Sequence, residues 1–153
     1  MDEIKWHCKS FTELTVNELY EIMKLRSEVF VVEQNCVYLD ADGKDEKSYH
    51  FYGAANGSIA AYARLLPPNL SFKEASIGRV LTAPSQRRKG FGIVLMQKCI
   101  AKTLDVFNTT EIKIGGQLYL KSFYEGLQFK QYSDVYDEDG IPHIEMIYKK
   151  NEV

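Results

Sequence analysis

Apolar and polar residues alternate over residues 4–11, a pattern that predicts a first β-strand. Thr15 and Glu18 follow with the spacing of a capping box, which marks the start of a helix. Apolar residues then recur every three or four positions, so we expect this helix to extend to about Val31. Residues 33–47 are polar and acidic, and we interpret them either as a solvated loop or as one wall of a substrate site.

The middle of the chain predicts three consecutive strands and a second helix. Residues 49–56 and 58–66 are apolar runs that meet at an Asn-Gly dipeptide, the strongest short signal for a hairpin turn. A further apolar run covers residues 74–82. The apolar positions over residues 93–107 have the spacing of an amphipathic helix.

The last part of the chain has shorter elements. Residues 111–114 predict a strand that two glycines end, residues 118–127 predict a short helix, and residues 129–136 and 144–148 predict two strands. Residues 137–142, acidic and containing Gly and Pro, predict a turn between these strands. The whole order predicts an α/β (α+β) fold with a mixed central sheet of six to seven strands and helices on both faces.

Composition narrows the class of protein. The chain has 153 residues, of which 45% are hydrophobic and 26% charged, which suits one globular domain over residues 1–153. A formal net charge of −2 does not indicate a nucleic-acid binder. No apolar run approaches the length of a membrane span, and the first five residues lack signal-peptide character. We therefore expect a cytoplasmic protein that binds neither nucleic acid nor membrane.

The cysteines and histidines indicate neither a disulfide framework nor a metal site. Cys8, Cys36 and Cys99 include no Cys-x-x-Cys pair. Cys99 falls on the apolar side of the second predicted helix, whereas Cys36 falls in the acidic loop and is expected to be accessible. The three histidines are far apart in sequence, so we expect no metal ion.

Residues 79–92 suggest a binding site for an anion. An apolar strand breaks at Pro84, and a basic loop with two glycines leads directly into the second helix. The first amides of a helix have no partner within it and favour a phosphate group. Gly90 and Gly92 would let the backbone approach such a ligand. Three cationic side chains that suit phosphate oxygens precede or flank them: Arg87, Arg88 and Lys89.

This loop resembles the acyl-CoA loop of the GNAT family of N-acetyltransferases, and the predicted element order is similar to that fold over most of the chain. The resemblance implies transfer of an acetyl group from acetyl-CoA, as co-substrate, to the amine of a small molecule or peptide. It places the pantetheine arm against the backbone of Val80, Leu81 and Thr82. It places the pyrophosphate on the loop of Arg87, Arg88, Lys89, Gly90, Phe91 and Gly92.

Two later positions also take part in the resemblance. Gln117 stands where the family usually has Asn at the start of a helix, seven residues before a tyrosine. That tyrosine is Tyr124, and it matches the family pattern. Gln128 departs from it, because the family has glycine there, which puts the geometry of the following turn in question.

Three longer runs narrow the resemblance to the ElaA-type acetyltransferases. They cover residues 25–36, 42–45 and 135–144. The run from Arg26 to Phe30 also resembles acyl-homoserine lactone synthases, which share the fold. The ElaA type has no defined acceptor, so this match implies a reaction class and leaves the metabolite open.

The resemblance implies direct attack of the amine on the thioester, without an acyl-enzyme. A backbone amide near Leu81 would hold the oxyanion, and Tyr124 would protonate the leaving thiolate. A phenol of pKa about 10 is a reasonable donor to a thiolate whose acid has a pKa near 8.5. Candidates for the base that deprotonates the ammonium are Glu33, His143 and Asp45. Alternatively, His143 donates to the strand backbone and Glu33 is merely solvated.

Other charged residues have two interpretations. Arg26, Arg64 and Arg79 either orient the substrate or form structural ion pairs, and for Arg64 we favour the ion pair. The acidic residues within 40–46 and 137–139 either are solvated or attract a cationic acceptor such as a polyamine.

Three other functions are compatible with the sequence. The chain is then an acyl-CoA sensor that has lost catalysis, a synthase like those that make acyl-homoserine lactones, or an interaction domain that binds no CoA. A homodimer through edge strands is compatible with this fold, although no feature of the sequence indicates one.

Overall fold

The computed structural model describes residues 3–150, and the two ends of the expected domain, residues 1–2 and 151–153, lie outside them. The strands of the described part are β1 (Lys5–Ser10), β2 (Tyr49–Ala55), β3 (Ser58–Leu66), β4 (Ser76–Thr82), β5 (Glu111–Gln117), β6 (Lys130–Gln131), β7 (Tyr136–Glu138) and β8 (Ile141–Lys149). The helices are α1 (Val16–Arg26), α2 (Phe91–Val106) and α3 (Lys121–Gly126). A π-helical segment, Ser27–Glu33, continues α1, and short 3₁₀ turns cover Phe11–Glu13, Asp45–Lys47, Pro84–Gln86 and Leu118–Leu120.

The strands form two four-stranded sheets. The first has the order β1-β2-β3-β4, and in the second β8 pairs with β5, β6 and β7. One parallel bridge between Ala75 and Ile112 links the sheets, and the amide of Lys113 donates to the carbonyl of Ala75 at 2.9 Å. Beyond this bridge β4 pairs only with β3 among the described strands, so a cleft opens between β4 and β5.

The α/β (α+β) fold is confirmed, with more strands than expected and with two sheets in place of one. The predicted strand over 129–136 is divided into β6 and β7. The amides of Tyr132 and Ser133 both point at the carbonyl of Glu145, at 2.8 and 3.4 Å, so the regular ladder ends there. All the pairs within each sheet are antiparallel, and the Ala75–Ile112 bridge is the parallel contact.

Helices cover both faces of the first sheet because its buried strand β3 is apolar on both faces. Ala61, Ala63 and Leu65 pack toward α2, in a cluster that includes Cys99, fully buried as predicted. Tyr62 points the other way and packs with residues of α1 and the π-helical segment. The predicted capping box at the start of α1 and the predicted β2–β3 hairpin are also present.

Two predicted features have different boundaries in the structure. β5 continues through Gly115 and Gly116 because both pair with β8, opposite Glu145 and Ile144. The turn predicted over 137–142 narrows to two residues between β7 and β8.

None of the helices within residues 3–150 is both long and apolar enough to cross a membrane.

Cys36 is buried, so the expectation that it is accessible is wrong. Only 7% of its surface is exposed. Its Sγ lies 3.5 Å from the backbone oxygen of Asp139, to which the thiol donates. This contact joins the segment after the π-helix to the β7–β8 turn, which puts Cys36 in the wall of the cleft.

Glu18 links α1 to the first sheet, and this makes stability depend on pH. It accepts hydrogen bonds from the Lys9 ammonium at 2.7 Å, the Tyr52 hydroxyl at 2.5 Å and the Thr15 amide at 2.8 Å. Although burial raises the pKa of Glu18, these donors lower it from 4.5 to about 2. The carboxylate therefore stabilises the fold above the unfolded value and ceases to do so as the pH falls toward 2.

We expect Glu18→Gln to flatten the acid dependence of stability. Between about pH 6 and about pH 3, the wild type should lose ~1–2 kcal/mol more unfolding free energy than the variant. Urea unfolding at the two pH values measures this. Glu28→Gln, an exposed carboxylate of the π-helical segment, is the control and should follow the wild type. Equal acid dependence in wild type and Glu18→Gln would contradict the assignment.

Candidate active site

A cleft of about 730 Å³ lies between β4 and β5. Its floor and sides come from these strands, and its far walls come from the π-helical segment, from residues 34–44 and from the β7–β8 hairpin. The sheets diverge at the Ala75–Ile112 bridge, so the cleft exists because the strands stop pairing.

β4 presents an unpaired edge to this cleft. Val80, Leu81 and Thr82, the three positions predicted to pair with a pantetheine arm, all line it. On its other edge β4 pairs with β3 through Leu81 opposite Tyr62, and the register shifts just before this point. The shift coincides with Arg79, whose φ of 52° is left-handed, and this bulge turns the end of β4 away from β5.

The basic loop joins the end of β4 to the start of α2. Gly90 caps α2 with a left-handed φ of 78° and no side-chain hydrogen bond, and Arg88 is also left-handed at 66°. A Cβ built on Gly92 would lie 3.7 Å from Oγ1 of Thr82, so the first turn of α2 is next to the end of β4. Of the predicted loop residues 87–92, Arg87 lines the cleft itself, and the helix N-terminus lies beside the end of β4, an arrangement that favours a phosphate group.

Arg87 lies at the mouth of the cleft and is engaged with the chain itself. Its two terminal nitrogens donate to the two carboxylate oxygens of Glu33, at 2.9 and 2.6 Å. The hydrogen bond from Arg87 holds the pKa of Glu33 below its usual value. Two residues predicted for different roles, phosphate binding and base catalysis, therefore form one pair across the cleft, and both remain partly exposed.

Tyr124 lies on α3 in the wall opposite β4. Burial raises the pKa of its phenol to about 12, with a smaller effect from Tyr119, so the hydroxyl keeps its proton at neutral pH. Its ring packs edge-on against Phe129, and a Cβ on Gly116 would lie only 3.0 Å from it. Gly116 is thus a glycine because the tyrosine ring occupies the space above it.

Gln128 follows α3 with a φ of 74°, in the left-handed region. Glycine adopts such a φ without steric cost, which is a physical reason for the glycine that is usual at this position. In this chain a glutamine adopts the same conformation. The amides of Leu127 and Phe129 both donate to the carbonyl of Tyr124, at 3.0 and 3.1 Å, so the turn closes. The substitution leaves Tyr124 in the cleft wall.

Gln117 and His143 are opposite each other on β5 and β8. The Gln117 amide nitrogen donates to the side-chain oxygen of Gln34 at 3.4 Å, which connects β5 to the end of the π-helical segment. His143 is buried, with Nδ1 2.7 Å from the carbonyl of Ile141 and Nε2 3.3 Å from Oε2 of Glu138. Since a carbonyl only accepts, Nδ1 carries a hydrogen, as expected for a strand histidine.

Three arginines and three aspartates form a largely buried network, and two of its members, Arg79 and Asp42, line the cleft. Its members are Arg26, Arg64, Arg79, Asp40, Asp42 and Asp45. Arg26 and Arg64 are 0% and 3% exposed, so they are structural, as favoured for Arg64, and they do not orient a substrate. The acidic segment over 40–46 is therefore largely neutralised by the chain, which removes its interpretation as an attraction for a cationic acceptor.

Asp45 is unsuited to act as a base. Burial raises the pKa of Asp45, but the hydrogen bond from Arg26 and the charges of Arg26 and Arg64 bring it below its usual value. Its carboxylate is 2.5 Å from Nη1 of Arg26 and 3.0 Å from Nη1 of Arg64.

Among residues 3–150, no group of three His, Cys, Asp or Glu side chains is placed to hold a metal ion.

The site also contains residues that the sequence did not single out. Tyr38 lies over Arg79 with the guanidinium carbon 5.5 Å from the ring centre, and its hydroxyl donates to Asp40 at 2.7 Å. Glu138 faces His143 in the cleft, whereas in the sequence it is distinguished only as one acidic residue of residues 137–139. The Arg79 bulge had no signal in the sequence, because it arises from pairing with β3.

A cleft between two diverging strands, with a glycine-capped helix that starts beside the end of one strand, is the arrangement that the sequence led us to expect for an acyltransferase. The family model described as "Acetyltransferase (GNAT) domain" matches residues 12–150, so this chain belongs to the GNAT family. It is therefore an acyltransferase by family, as the resemblance in its loop and element order implied.

Within the family the chain is similar to proteins of the ElaA type. It is 42% identical to a UPF0039 protein of Synechocystis, over 96% of both chains. It is 38% identical to Protein ElaA of Escherichia coli, over 94% of this chain and 95% of that one, and the crystal structure of E. coli ElaA superposes with a TM-score of 0.90 over 96% and 100% of the two chains. An acyl-CoA N-acyltransferase structure from Pseudomonas aeruginosa is 36% identical, with a TM-score of 0.91 over 95% and 99%.

Proposed function

We propose that this protein transfers an acetyl group from acetyl-CoA to the primary amine of a small molecule or peptide. The observation that carries the proposal is that the unpaired edge of β4 and the phenol of Tyr124 line one cleft, and that the N-terminus of α2 lies beside the end of β4. The P. aeruginosa relative, whose structure is described as an acyl-CoA N-acyltransferase, supports the same reaction class.

The residues along the cleft suit the parts of acetyl-CoA in order. The Arg88–Gly92 loop would hold the pyrophosphate with backbone amides and cationic side chains. The open edge of β4 over Val80, Leu81 and Thr82 would pair with the amides of the pantetheine arm. The acceptor would then enter from the other end, between residues 34–44 and the β7–β8 hairpin.

In the proposed reaction each protein group handles one charge or proton. His143 would take a proton from the acceptor ammonium at Nε2, and the freed amine would attack the thioester carbon. A backbone amide of β4 near Leu81 would hold the oxyanion. As the carbon–sulfur bond breaks, Tyr124 would give its phenolic proton to the thiolate, and the remaining surplus amine proton would return to the phenolate.

Between the two predicted bases that remain after Asp45 is set aside, the contacts favour His143 over Glu33. The Arg87 guanidinium holds both oxygens of Glu33, and it lowers the pKa of that carboxyl, so Glu33 is a weak proton acceptor. Nε2 of His143 keeps a lone pair in the neutral ring, because Nδ1 carries the hydrogen. Glu33 would instead position Arg87 at the mouth of the cleft.

Replacing Gly90 by Glu is expected to weaken acetyl-CoA binding at least tenfold. The new carboxylate would stand at the anion-binding end of α2, where like charges repel. Calorimetric titration measures the affinity. Gly57→Glu is a matched control, because Gly57 has nearly the same φ, 77° against 78°, and neither Cβ would meet an atom within 4 Å. Equal loss in both variants would show a backbone effect, and unchanged affinity in Gly90→Glu would contradict the assigned loop.

A further inference from the structure

Glu138, the last residue of β7, is a cleft carboxylate whose side chain has no role in the reaction as proposed so far. It is 57% exposed and lines the cleft, whereas His143 beside it is 8% exposed. Its Oε2 is 3.3 Å from Nε2 of His143. Glu138 thus contacts the imidazole and the open space of the cleft at the same time.

The other carboxylates around the acceptor end of the cleft are engaged or lack such a neighbour. Glu33 is paired with Arg87, and Asp42 accepts from Arg64 through both oxygens, each at 2.8 Å. Asp139 lies at the turn, where its backbone oxygen accepts the Cys36 thiol. Glu138 is the cleft carboxylate that combines exposure with a contact to the proposed base.

The β7–β8 hairpin fixes the relation of Glu138 to His143. Glu138 pairs with Ile141, and Tyr136 pairs with His143, so the Glu138 and His143 side chains are diagonal neighbours on one face. The two-residue turn is tight, with Asp139 and Gly140 both left-handed, at 52° and 81°. The spacing of the carboxylate and the ring is therefore set by the backbone.

Proton placement around the ring gives this contact a direction. Nδ1 donates to the carbonyl of Ile141, so in neutral His143 the lone pair is on Nε2, the nitrogen that lies 3.3 Å from the carboxylate of Glu138. Two electron-rich atoms at 3.3 Å repel each other, whereas a proton on Nε2 makes the contact an attraction between opposite charges. The Glu138–His143 pair therefore favours a positive charge, either as a cation bound between the two side chains or as a proton on the imidazole.

We propose that Glu138 binds the ammonium group of the acceptor and stabilises the imidazolium that forms when Nε2 of His143 takes one of its protons. This inference rests on the proposed function. One N–H bond of the ammonium breaks, an Nε2–H bond forms, and the electron pair left on the amine becomes the nucleophile. The imidazolium then releases its proton to solvent after the transfer. The acceptor class is thereby a primary ammonium ion, steered by a carboxylate that the chain leaves accessible.

Other ionisable groups lie near this pair, and their effect on His143 must be distinguished from the effect of Glu138. On the same hairpin they are Tyr136, whose ring centre is 5.9 Å from that of His143, and the carboxylic acids Asp137, Asp139 and Glu145. Cys36 and Tyr124 belong to the facing walls of the cleft, and the cross-strand neighbour Gln117 is uncharged. Besides Glu138, Asp139 is the acidic residue of this hairpin that lines the cleft, so Asp139→Asn is the control for the loss of one carboxylate from the hairpin.

The first test is the proton NMR titration of the His143 imidazole, which needs no turnover. Its resonance is assigned by its absence in His143→Gln. In Glu138→Gln the midpoint should lie at lower pH than in the wild type by about half a pH unit or more, since the charged ring loses an opposite charge. Asp139→Asn, which keeps a residue suited to its left-handed φ, should move it less. Equal midpoints in wild type and Glu138→Gln overturn the proposal.

The second test is kinetic, with a panel of primary amines and acetyl-CoA. Glu138→Gln should raise the amine KM about tenfold or more and move the acidic limb of the kcat/KM profile to lower pH, with acetyl-CoA affinity unchanged. Asp139→Asn should change the amine KM by less than about threefold. An unchanged amine KM in Glu138→Gln overturns this inference alone. Absence of transfer by the wild type overturns the proposed function and, with it, the acceptor role of Glu138.

Discussion

Tyr124→Phe should lower kcat for acetyl transfer by about 100-fold or more while leaving the affinity for acetyl-CoA within about twofold. The variant removes one oxygen atom and keeps the ring that packs over Gly116 and against Phe129. Because burial raises the pKa of the phenol to about 12, the hydroxyl keeps its proton at neutral pH and is available to donate it to the leaving thiolate.

Single-turnover kinetics combined with calorimetric titration separate chemistry from binding in this variant. Tyr119→Phe is the matched control, because Tyr119 also lines the cleft but is 74% exposed. It should keep kcat within about threefold of the wild type. If Tyr124→Phe retains full kcat, another group or water protonates the thiolate, and the role proposed for Tyr124 is wrong.

Arg26→Met should destabilise the fold by about 3 kcal/mol, because it leaves buried carboxylates without one of their partners. Arg26 is fully buried, and its guanidinium contacts Asp40 at 2.8 Å and Asp45 at 2.5 Å. These contacts fasten residues 40–45 to the end of α1, and the same segment forms a wall of the cleft. The variant should therefore also weaken binding of the acceptor more than binding of acetyl-CoA.

Urea unfolding of Arg26→Met and Lys24→Met tests this expectation, because each variant loses one positive charge and the two have the same net charge. Lys24 lies on α1 two residues earlier and is exposed, so its replacement should cost less than about 0.5 kcal/mol. A similar small effect in both variants would mean that Arg64 and Arg79 compensate for the lost guanidinium. In that case the network would not be what holds the acidic segment in place.

The order of the elements was accessible from the sequence because most of it depends on local patterns. The capping box at Thr15, the Asn-Gly turn before β3 and the amphipathic spacing of α2 each involve neighbours along the chain. The family resemblance then placed Val80, Leu81, Thr82 and Tyr124, and all four line the cleft. Whether they have the predicted roles is what the proposed experiments decide.

The pairing of charges was not accessible from the sequence, since it depends on which loops meet. The acidic segment appeared free to attract a cation, but three arginines from α1, β3 and β4 neutralise its buried carboxylates. Arg87 and Glu33 are 54 positions apart, and their contact required the path of the π-helical segment. The Glu138–His143 pair likewise depends on the hairpin register, because a shift of one residue would place the two side chains on opposite faces.

The most direct measurement of the central proposal is acetyl transfer by the wild-type protein, with acetyl-CoA and a panel of primary amines. Free CoA thiol and acetylated amine are quantified in the same reaction. We expect both to appear in equal amounts with at least one amine, in proportion to enzyme concentration. Thiol without acetylated amine would indicate hydrolysis, and binding of acetyl-CoA without any transfer would indicate a sensor. Either result would contradict an N-acetyltransferase acting on these amines.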